Sequence, residues 1–164
     1  MIYSRPALLT RSGHVRGVDG TSAISGPVPP GSYRIAVRHR NHLGIMTGAA
    51  ASLSGNATTV DMTAASRAYG TNARVLVGTR YCMWAGDGTG KGVVSYSGSG
   101  NDRDPVLTAV GSTTPNHALL NVYDRRDINL DGAVRYTGSL NDRDPILVNI
   151  GGAQPNNTLQ QQLP

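Results

Sequence analysis

The sequence contains no phenylalanine and a single cysteine, Cys82, among its 164 residues. One cysteine excludes an intrachain disulfide, and a buried thiol is its expected role. No run of about 18 apolar residues occurs, which is the length that a membrane-spanning helix needs. The first residues lack the apolar segment of a signal peptide, so the chain is either cytosolic or a mature or partial sequence.

Glutamate is also absent, so all ten acidic residues are aspartates, which suit turns and oxygen-rich metal loops. Residues 1–86 hold nine arginines and two aspartates, a balance of +7, whereas residues 87–164 hold six basic and eight acidic residues, a balance of −2. No stacking aromatics interleave the arginines, so we expect non-specific attraction to polyanions and no specific nucleic-acid binding. Abundant glycine (21 residues) favours short strands and turns.

The acidic residues include a recognisable metal-loop pattern, Asp-x-Asn-x-Asp-Gly, at residues 127–132. In such loops, oxygen-bearing side chains at alternate positions converge on one hard cation, and the glycine allows a sharp turn. A glycine also occupies the standard closing position, so we expect an insertion before a late carboxylate ligand. The alternative is an Asx-rich turn that binds no ion. The expected Ca²⁺ ligands are Asp127, Asn129, Asp131, the carbonyl of Ala133, and Asp142 or Asp144.

A repeat with a period of about 40 residues organises the second half of the chain. Residues 87–105 align without gaps onto residues 127–145, and in each copy an Asn-Asp-Arg-Asp-Pro segment precedes an apolar run. Because Asn or Asp can cap a helix and Pro fits its first turn, each copy should be a loop followed by a short helix. The two helices should pack against each other.

The first copy lacks part of the ligand set, because Thr89 and Lys91 stand at the positions of Asn129 and Asp131. We therefore expect one occupied site and one degenerate site, in which the lysine ammonium takes the place of the cation in an internal salt bridge. The alternative is a plain loop whose lysine points into solvent, since exposed lysines are the norm. The degenerate site comprises Asp87, Thr89, Lys91, Asp102 and Asp104.

Residues 1–80 are expected to form a small antiparallel β-sandwich. The clearest strand is 33–40, where arginine and alanine alternate with tyrosine, aliphatic residues and histidine. Further strands are expected at 58–63, 75–77 and 81–84. The Arg and His residues of 38–42 suit an anion or sulfated-glycan patch, or a His-x-x-His metal pair; the alternative is an exposed strand face running into a turn.

Residues 87–164 resemble the dockerin type I-like calcium repeats at the carboxyl termini of secreted bacterial surface proteins. With residues 33–44, 84–86 and 162–164, the fuller pattern resembles a family of large extracellular proteins of the Bacteroidetes group. The resemblance implies calcium and the cell exterior but no reaction, so we expect a non-enzymatic extracellular protein with a calcium module at 81–164. True dockerins bind cohesin modules through shorter loops, and the inserted segment here argues against cohesin binding.

In that family, further strands precede the point where this sequence begins, which implies that the sandwich of residues 1–80 lacks a strand. A strand from another chain can fill such an edge, and the contact builds a head-to-tail homopolymer because it does not close. The alternatives are a sheet that closes on itself and an adhesin or glycan-binding module of a surface protein. The expected donor strand lies within residues 1–12 and comprises Ile2, Tyr3, Ala7, Leu8 and Leu9.

Overall fold

The computed structural model describes residues 2–10, 12–65 and 67–164. The chain divides into two compact units. The first unit comprises Met1–Tyr33 and Ser52–Thr59, and the second comprises Arg34–Ala51 and Val60–Pro164. The second unit therefore takes in residues from both sides of the predicted boundary at residue 80.

The described part of the chain is mainly β, as its composition predicted. Its strands are two to five residues long and pair in twos. The strands are β1 (Leu8–Leu9), β2 (Val15–Arg16), β3 (Gly31–Tyr33), β4 (Ala36–His39), β5 (His42–Met46), β6 (Ala51–Leu53), β7 (Arg74–Val77), β8 (Arg80–Met83), β9 (Val93–Ser95), β10 (Ala118–Leu120), β11 (Ala133–Arg135) and β12 (Thr158–Gln160). The helices are α1 (Arg103–Ala109) and α2 (Arg143–Asn149).

Neither described helix is long and apolar enough to cross a membrane.

In the first unit, β1 pairs with β2 in antiparallel register, with Leu8 opposite Arg16 and Leu9 opposite Val15. Two residues of the expected donor strand, Leu8 and Leu9, therefore already pair with a strand of their own chain. The other donor-strand residues, Ile2, Tyr3 and Ala7, lie outside strands, and all five side chains of that set are exposed. Strand β3 pairs with β6.

In the second unit, residues 34–39 show the predicted alternation of burial, with Arg34, Ala36 and Arg38 exposed between half-buried neighbours. The predicted strand 33–40 is nevertheless broken between β3 and β4. At the break, the Ile35 N–H donates to the side-chain hydroxyl of Thr47 at 3.1 Å. A side-chain acceptor thus replaces a ladder partner, and the strand pattern resumes at β4, which pairs with β5.

Of the other predicted strands, 75–77 and 81–84 are confirmed as the antiparallel hairpin β7–β8. Residues 58–63 form no strand, because the Asp61 carboxylate accepts the N–H and hydroxyl of Thr63 at 2.8 and 2.7 Å and so closes a local turn. Cys82 is exposed, contrary to expectation. The alternation along β8 buries its neighbours Tyr81 and Met83 in part and turns the cysteine outward.

The predicted loop–helix copies are confirmed, and α1 and α2 contact each other. Each helix begins at the Asn-Asp-Arg-Asp-Pro segment, where the Asn101 and Asn141 side chains accept the N–H of Asp104 and Asp144 at 2.9 Å. Apolar residues from the loops, strands and helices of both copies join Leu43 of β5 in one core. Its buried members are Leu43, Val94, Val106, Val110, Ile128, Val134, Ile146 and Ile150.

The two copies exchange strands symmetrically. The strand that ends the first copy, β10, pairs with β11 of the second copy, with Leu119 opposite Val134. The strand that ends the second copy, β12, pairs with β9 of the first copy, with Leu159 opposite Val94. Exchanging each residue for its equivalent in the other copy, 40 positions away, turns the Leu119–Val134 pair into the Leu159–Val94 pair. The repeat therefore folds as an intrachain pair in which each copy completes the sheet of its partner.

Candidate metal centre

The second-copy loop is built by aspartate and asparagine side chains that accept backbone N–H groups. The Asp131 N–H donates to Oδ1 of Asp127 at 3.1 Å and to Oδ1 of Asn129 at 2.9 Å. One N–H shared by two oxygens makes these oxygens close neighbours. Gly132 has φ +83°, a conformation that glycine adopts without strain, and its N–H reaches Oδ2 of Asp127 at 3.1 Å. Asp127 and Asn129 are therefore brought together as the pattern predicted.

The Asp142 carboxylate closes this loop from the start of α2. Its Oδ1 accepts the N–H groups of Ile128 and Asn129 at 2.7 and 3.2 Å, and its Oδ2 accepts the N–H of Arg135 at 2.8 Å. The residue is fully buried. Loss of solvation raises the pKa of Asp142 to about 6, against the three hydrogen bonds that lower it, and the negative charge of Asp127 raises it further.

Two of the expected ligands are engaged elsewhere. Asp131 accepts the Ala133 N–H at 2.9 Å through Oδ1 and the Arg135 guanidinium at 2.6 Å through Oδ2. Asp144 contacts its neighbours Asn141 and Arg143 at the start of α2 and forms no hydrogen bond with residues 127–133. Of the two carboxylates considered for closing the site, Asp142 is the one that faces the loop.

The chemistry of this donor set suits a hard divalent cation. Calcium prefers carboxylate and amide oxygens, and Asp127, Asn129 and Asp142 supply these around a single turn. The residues of the three described ranges contain no group of three His, Cys, Asp or Glu side chains arranged to hold a metal. The set here has two carboxylates, and its third member is an amide.

The first copy repeats the same carboxylate–backbone framework. Asp87 accepts the N–H groups of Lys91 and Gly92, both at 2.9 Å. Asp102 accepts the N–H of Thr89 at 3.0 Å and that of Ser95 at 2.8 Å, and both carboxylates are buried. Burial raises the pKa of Asp102, as it does for its counterpart.

The lysine of the first copy does not form the expected internal salt bridge. Lys91 is exposed, its ammonium lies 3.5 Å from the carbonyl of Gly100, and no ion pair among the described residues includes it. The Asp87 and Asp102 carboxylates are buried inside the loop, where they accept backbone N–H groups, whereas the lysine side chain stays at the surface. Asp104, like Asp144, is bonded to the asparagine and arginine beside it. The alternative of a solvent-facing lysine is the one observed.

Two residues of the first half, which sequence reasoning assigned to a strand and a turn, contact the second-copy loop. The Asn41 amide, fully buried, donates to the Asp127 carbonyl at 2.5 Å. Arg40 places a guanidinium nitrogen 3.5 Å from Oδ2 of Asp127 and donates to the Asp124 carbonyl at 2.9 Å. No local sequence signal indicates these contacts, because they join residues more than 80 positions apart.

Beside the first-copy loop lies a cleft of about 260 Å³ with a strongly basic lining. The β4–β5 turn places two histidines at its wall, and their Nδ1 atoms are 2.9 Å apart. Burial, with the nearby positive charges, lowers the pKa of His39 and lowers that of His42 to about 4, so both rings are neutral at pH 7. The lining residues are Arg38, His39, Arg40, His42, Gly44, Asp87, Gly90, Lys91, Gly92, Arg125 and Gln161.

Comparisons with protein-family models, with curated proteins and with solved structures find no significant match to this chain. The function is therefore argued from the geometry of the chain itself.

Proposed function

We propose that this chain is a non-enzymatic structural protein of the cell exterior, stabilised by one Ca²⁺ in the second copy of its repeat. The observation that carries the proposal is the buried pair of carboxylates, Asp127 and Asp142, on either side of Asn129. Burial raises the pKa of Asp142 because it disfavours the charged form, and the like charge of Asp127 adds to the rise. A divalent cation would relieve that repulsion and bind oxygen ligands of its preferred kind.

The first copy is less suited to the ion. Its Thr89 hydroxyl donates to Oδ1 of Asp102 at 2.8 Å, where the second copy offers an asparagine oxygen. It also carries Lys91 where the second copy carries the Asp131 carboxylate, so its loop has one acidic residue fewer. Loops of limited ligand charge bind calcium at the concentrations found outside cells, which supports an extracellular location.

Calorimetric titration of the chelator-treated chain tests the calcium proposal. We expect one Ca²⁺ per chain for the natural sequence and for the control Asp87→Asn, and none for Asp127→Asn. The two substitutions remove equivalent carboxylates from the two copies, so a general loss of folding would affect both alike. Two ions per chain, or equal loss of binding in both variants, would contradict the proposal.

We further propose that the chain assembles head to tail through the segment within residues 1–12. Two-stranded sheets leave edges at which N–H and C=O groups can pair with another chain, and such small sheets gain stability from a further strand. The donor segment presents Ile2, which is 75% exposed, with Leu8 and Leu9 at 46% and 43%. A homopolymer on the cell surface follows from the same proposal.

Electron microscopy and sedimentation of the full chain test assembly. Filaments are expected from the natural sequence and not from a variant in which Leu8→Asn and Leu9→Asn make the segment polar. The matched control Leu76→Asn and Val77→Asn alters an equally exposed apolar pair at the end of β7. Filaments from the Leu8 and Leu9 variant, or a monomeric natural chain at all concentrations, would refute the donor segment.

A further inference from the structure

We propose that the basic cleft beside the repeat binds the sulfate or carboxylate group of an acidic polysaccharide. The cleft is lined by residues of the β4–β5 turn, by 90–92 of the first copy, and by Arg125 and Gln161. These segments are distant in sequence, so the site exists only in the folded second unit. The inference does not depend on calcium binding or on assembly.

The charge of the cleft favours an anion. Arg38, Arg40, Lys91 and Arg125 line it, against a single carboxylate from Asp87. That carboxylate is buried, and its oxygens accept backbone N–H groups of the first-copy loop. Among the ion pairs of the described residues, none includes Arg38, Lys91 or Arg125. Their charges are therefore available to a ligand.

Two of the four cationic groups are already held in place. Arg40 stacks on the ring of Tyr123, 4.1 Å from its centroid, and donates to the Asp124 carbonyl. Arg125 donates to the Thr89 carbonyl at 2.8 Å. Guanidinium groups fixed in advance lose little conformational entropy on binding, and their planar donors match the oxygens of a sulfate or carboxylate.

The remaining lining suits the sugar that carries the anion. The neutral imidazoles of His39 and His42 offer hydrogen-bonding groups without adding charge. The Gln161 side-chain oxygen accepts the Gly44 N–H at 2.8 Å, which leaves its amide donors for a hydroxyl. A volume of about 260 Å³ lies just below the range of sites for drug-sized ligands, so it suits a single sugar unit with its acid group.

The same features disfavour a nucleic acid. Single-stranded nucleic acids bind along grooves that follow several phosphates and stack their bases on aromatic rings. The described lining of the cleft contains no Tyr or Trp on which bases could stack, and its volume of about 260 Å³ suits a single sugar unit rather than a run of nucleotides. An acidic polysaccharide needs one anionic group and polar neighbours at a time.

Calorimetry or biolayer interferometry on the full chain, at about physiological ionic strength, tests the inference. The probes are a sulfated oligosaccharide, a uronic-acid oligosaccharide, a neutral oligosaccharide of the same length, inorganic sulfate and a single-stranded oligonucleotide. We expect one or both acidic oligosaccharides to bind, and the neutral one and inorganic sulfate to bind at least tenfold more weakly. Preference between the two acidic probes identifies the anionic group.

Charge-removing variants locate the site. Arg38→Gln with Arg125→Gln should weaken oligosaccharide binding by about tenfold or more, the usual effect of losing hydrogen bonds to a charged group. The control, Arg67→Gln with Arg80→Gln, removes the same charge from two exposed arginines outside the cleft. Circular dichroism checks that both variants fold.

Four outcomes would overturn the inference. They are equal weakening in both double variants, sulfate binding as tightly as the oligosaccharides, tighter binding of the oligonucleotide, and no binding of any acidic oligosaccharide at millimolar concentration. The first would indicate non-specific attraction, the second a site for a free anion, and the third a nucleic-acid site.

Discussion

The two copies of the repeat place four buried aspartates in equivalent positions, although their loops 87–92 and 127–132 differ at four residues. Asp87 and Asp102 in the first copy, and Asp127 and Asp142 in the second, accept loop N–H groups in corresponding ways. The framework of carboxylates is thus common to both, whether the neighbouring position carries Lys91 or Asp131. The comparison separates two roles that the sequence pattern combines: some aspartates build the loop, and the variable positions determine whether it suits a cation.

The largest expected effect comes from the aspartate that closes each loop. In calcium-free buffer, Asp102→Ala and Asp142→Ala should each lower the free energy of unfolding by about 3–5 kcal/mol, because each leaves buried backbone donors without a partner at about 1–3 kcal/mol apiece. Urea unfolding followed by circular dichroism gives the values. A large cost in the second copy alone would show that the framework is not shared.

The pH dependence of stability tests the second copy further, because Asp142 and His42 change the free energy of unfolding in opposite directions as pH rises. Between pH 3.8 and about 6 the folded chain holds the Asp142 proton that the unfolded chain releases, so this residue makes stability fall as pH rises. Between pH 4 and 6.5 the unfolded chain holds the His42 proton that the folded chain lacks, so this residue makes stability rise. The two effects offset each other in the natural chain.

Substituting either residue should reveal the pH dependence of stability that the other one causes. Without calcium, His42→Gln should lose about 3 kcal/mol of stability between pH 4 and 6, and Asp142→Asn should gain a similar amount over the same range. Burial also raises the pKa of Asp102, which adds to the fall of stability with rising pH in the His42→Gln variant. Chemical unfolding at several pH values measures both slopes. Identical slopes in the two variants would contradict the opposing assignments.

Giving the first loop the two oxygen-bearing residues of the second tests the expected ligand positions directly. The double variant Thr89→Asn with Lys91→Asp should bind a second Ca²⁺ and gain about 2.7 kcal/mol of stability when free calcium exceeds its dissociation constant a hundredfold. Calorimetry gives the stoichiometry, and thermal unfolding with and without chelator gives the gain. Lys91→Gln serves as the control, because it removes the opposing charge without adding a carboxylate. Failure to bind a second ion would show that other residues set the difference.

The smallest effect concerns the arginine that follows each closing aspartate. The Arg103 guanidinium lies 5.2 Å from the ring centroid of Tyr96, and that of Arg143 lies 5.3 Å from that of Tyr136. Arg103 also forms an ion pair with the exposed Asp104, and Arg143 with the exposed Asp144. Arg103→Gln and Arg143→Gln should therefore cost about 0.5–1 kcal/mol each, and equally. Unequal costs in unfolding experiments would mark a difference between the copies that their contacts do not show.

The features that sequence could predict are those that neighbouring residues determine. The start of each helix follows from an asparagine and a proline a few residues apart, and the loop turns follow from side chains that bond the backbone two to five positions on. The alternation along 34–39 is likewise local. These signals need no knowledge of the rest of the fold.

What sequence could not predict depends on distant pairing. Nothing near Asn41 or Arg40 indicates that they contact a loop more than 80 positions away. The same holds for Arg125 and Lys91, whose meeting at the cleft depends on how the copies pack. The salt bridge of Lys91 was predicted wrongly because its expected partners Asp87 and Asp102 are buried, and their burial depends on the whole fold.

The exchange of strands between the copies has a consequence for how the chain folds during synthesis. Strand β9 is made early, yet its partner β12 follows some 65 positions later. The first copy cannot complete its sheet until the ribosome has delivered that distant segment, whereas β10 and β11 are close neighbours in the sequence. Folding of this region therefore ends with the pairing of β9 and β12, which closes a long loop and is slow for that reason. Strand β9 is synthesised first in the repeat, yet it is among the last segments to gain its strand partner.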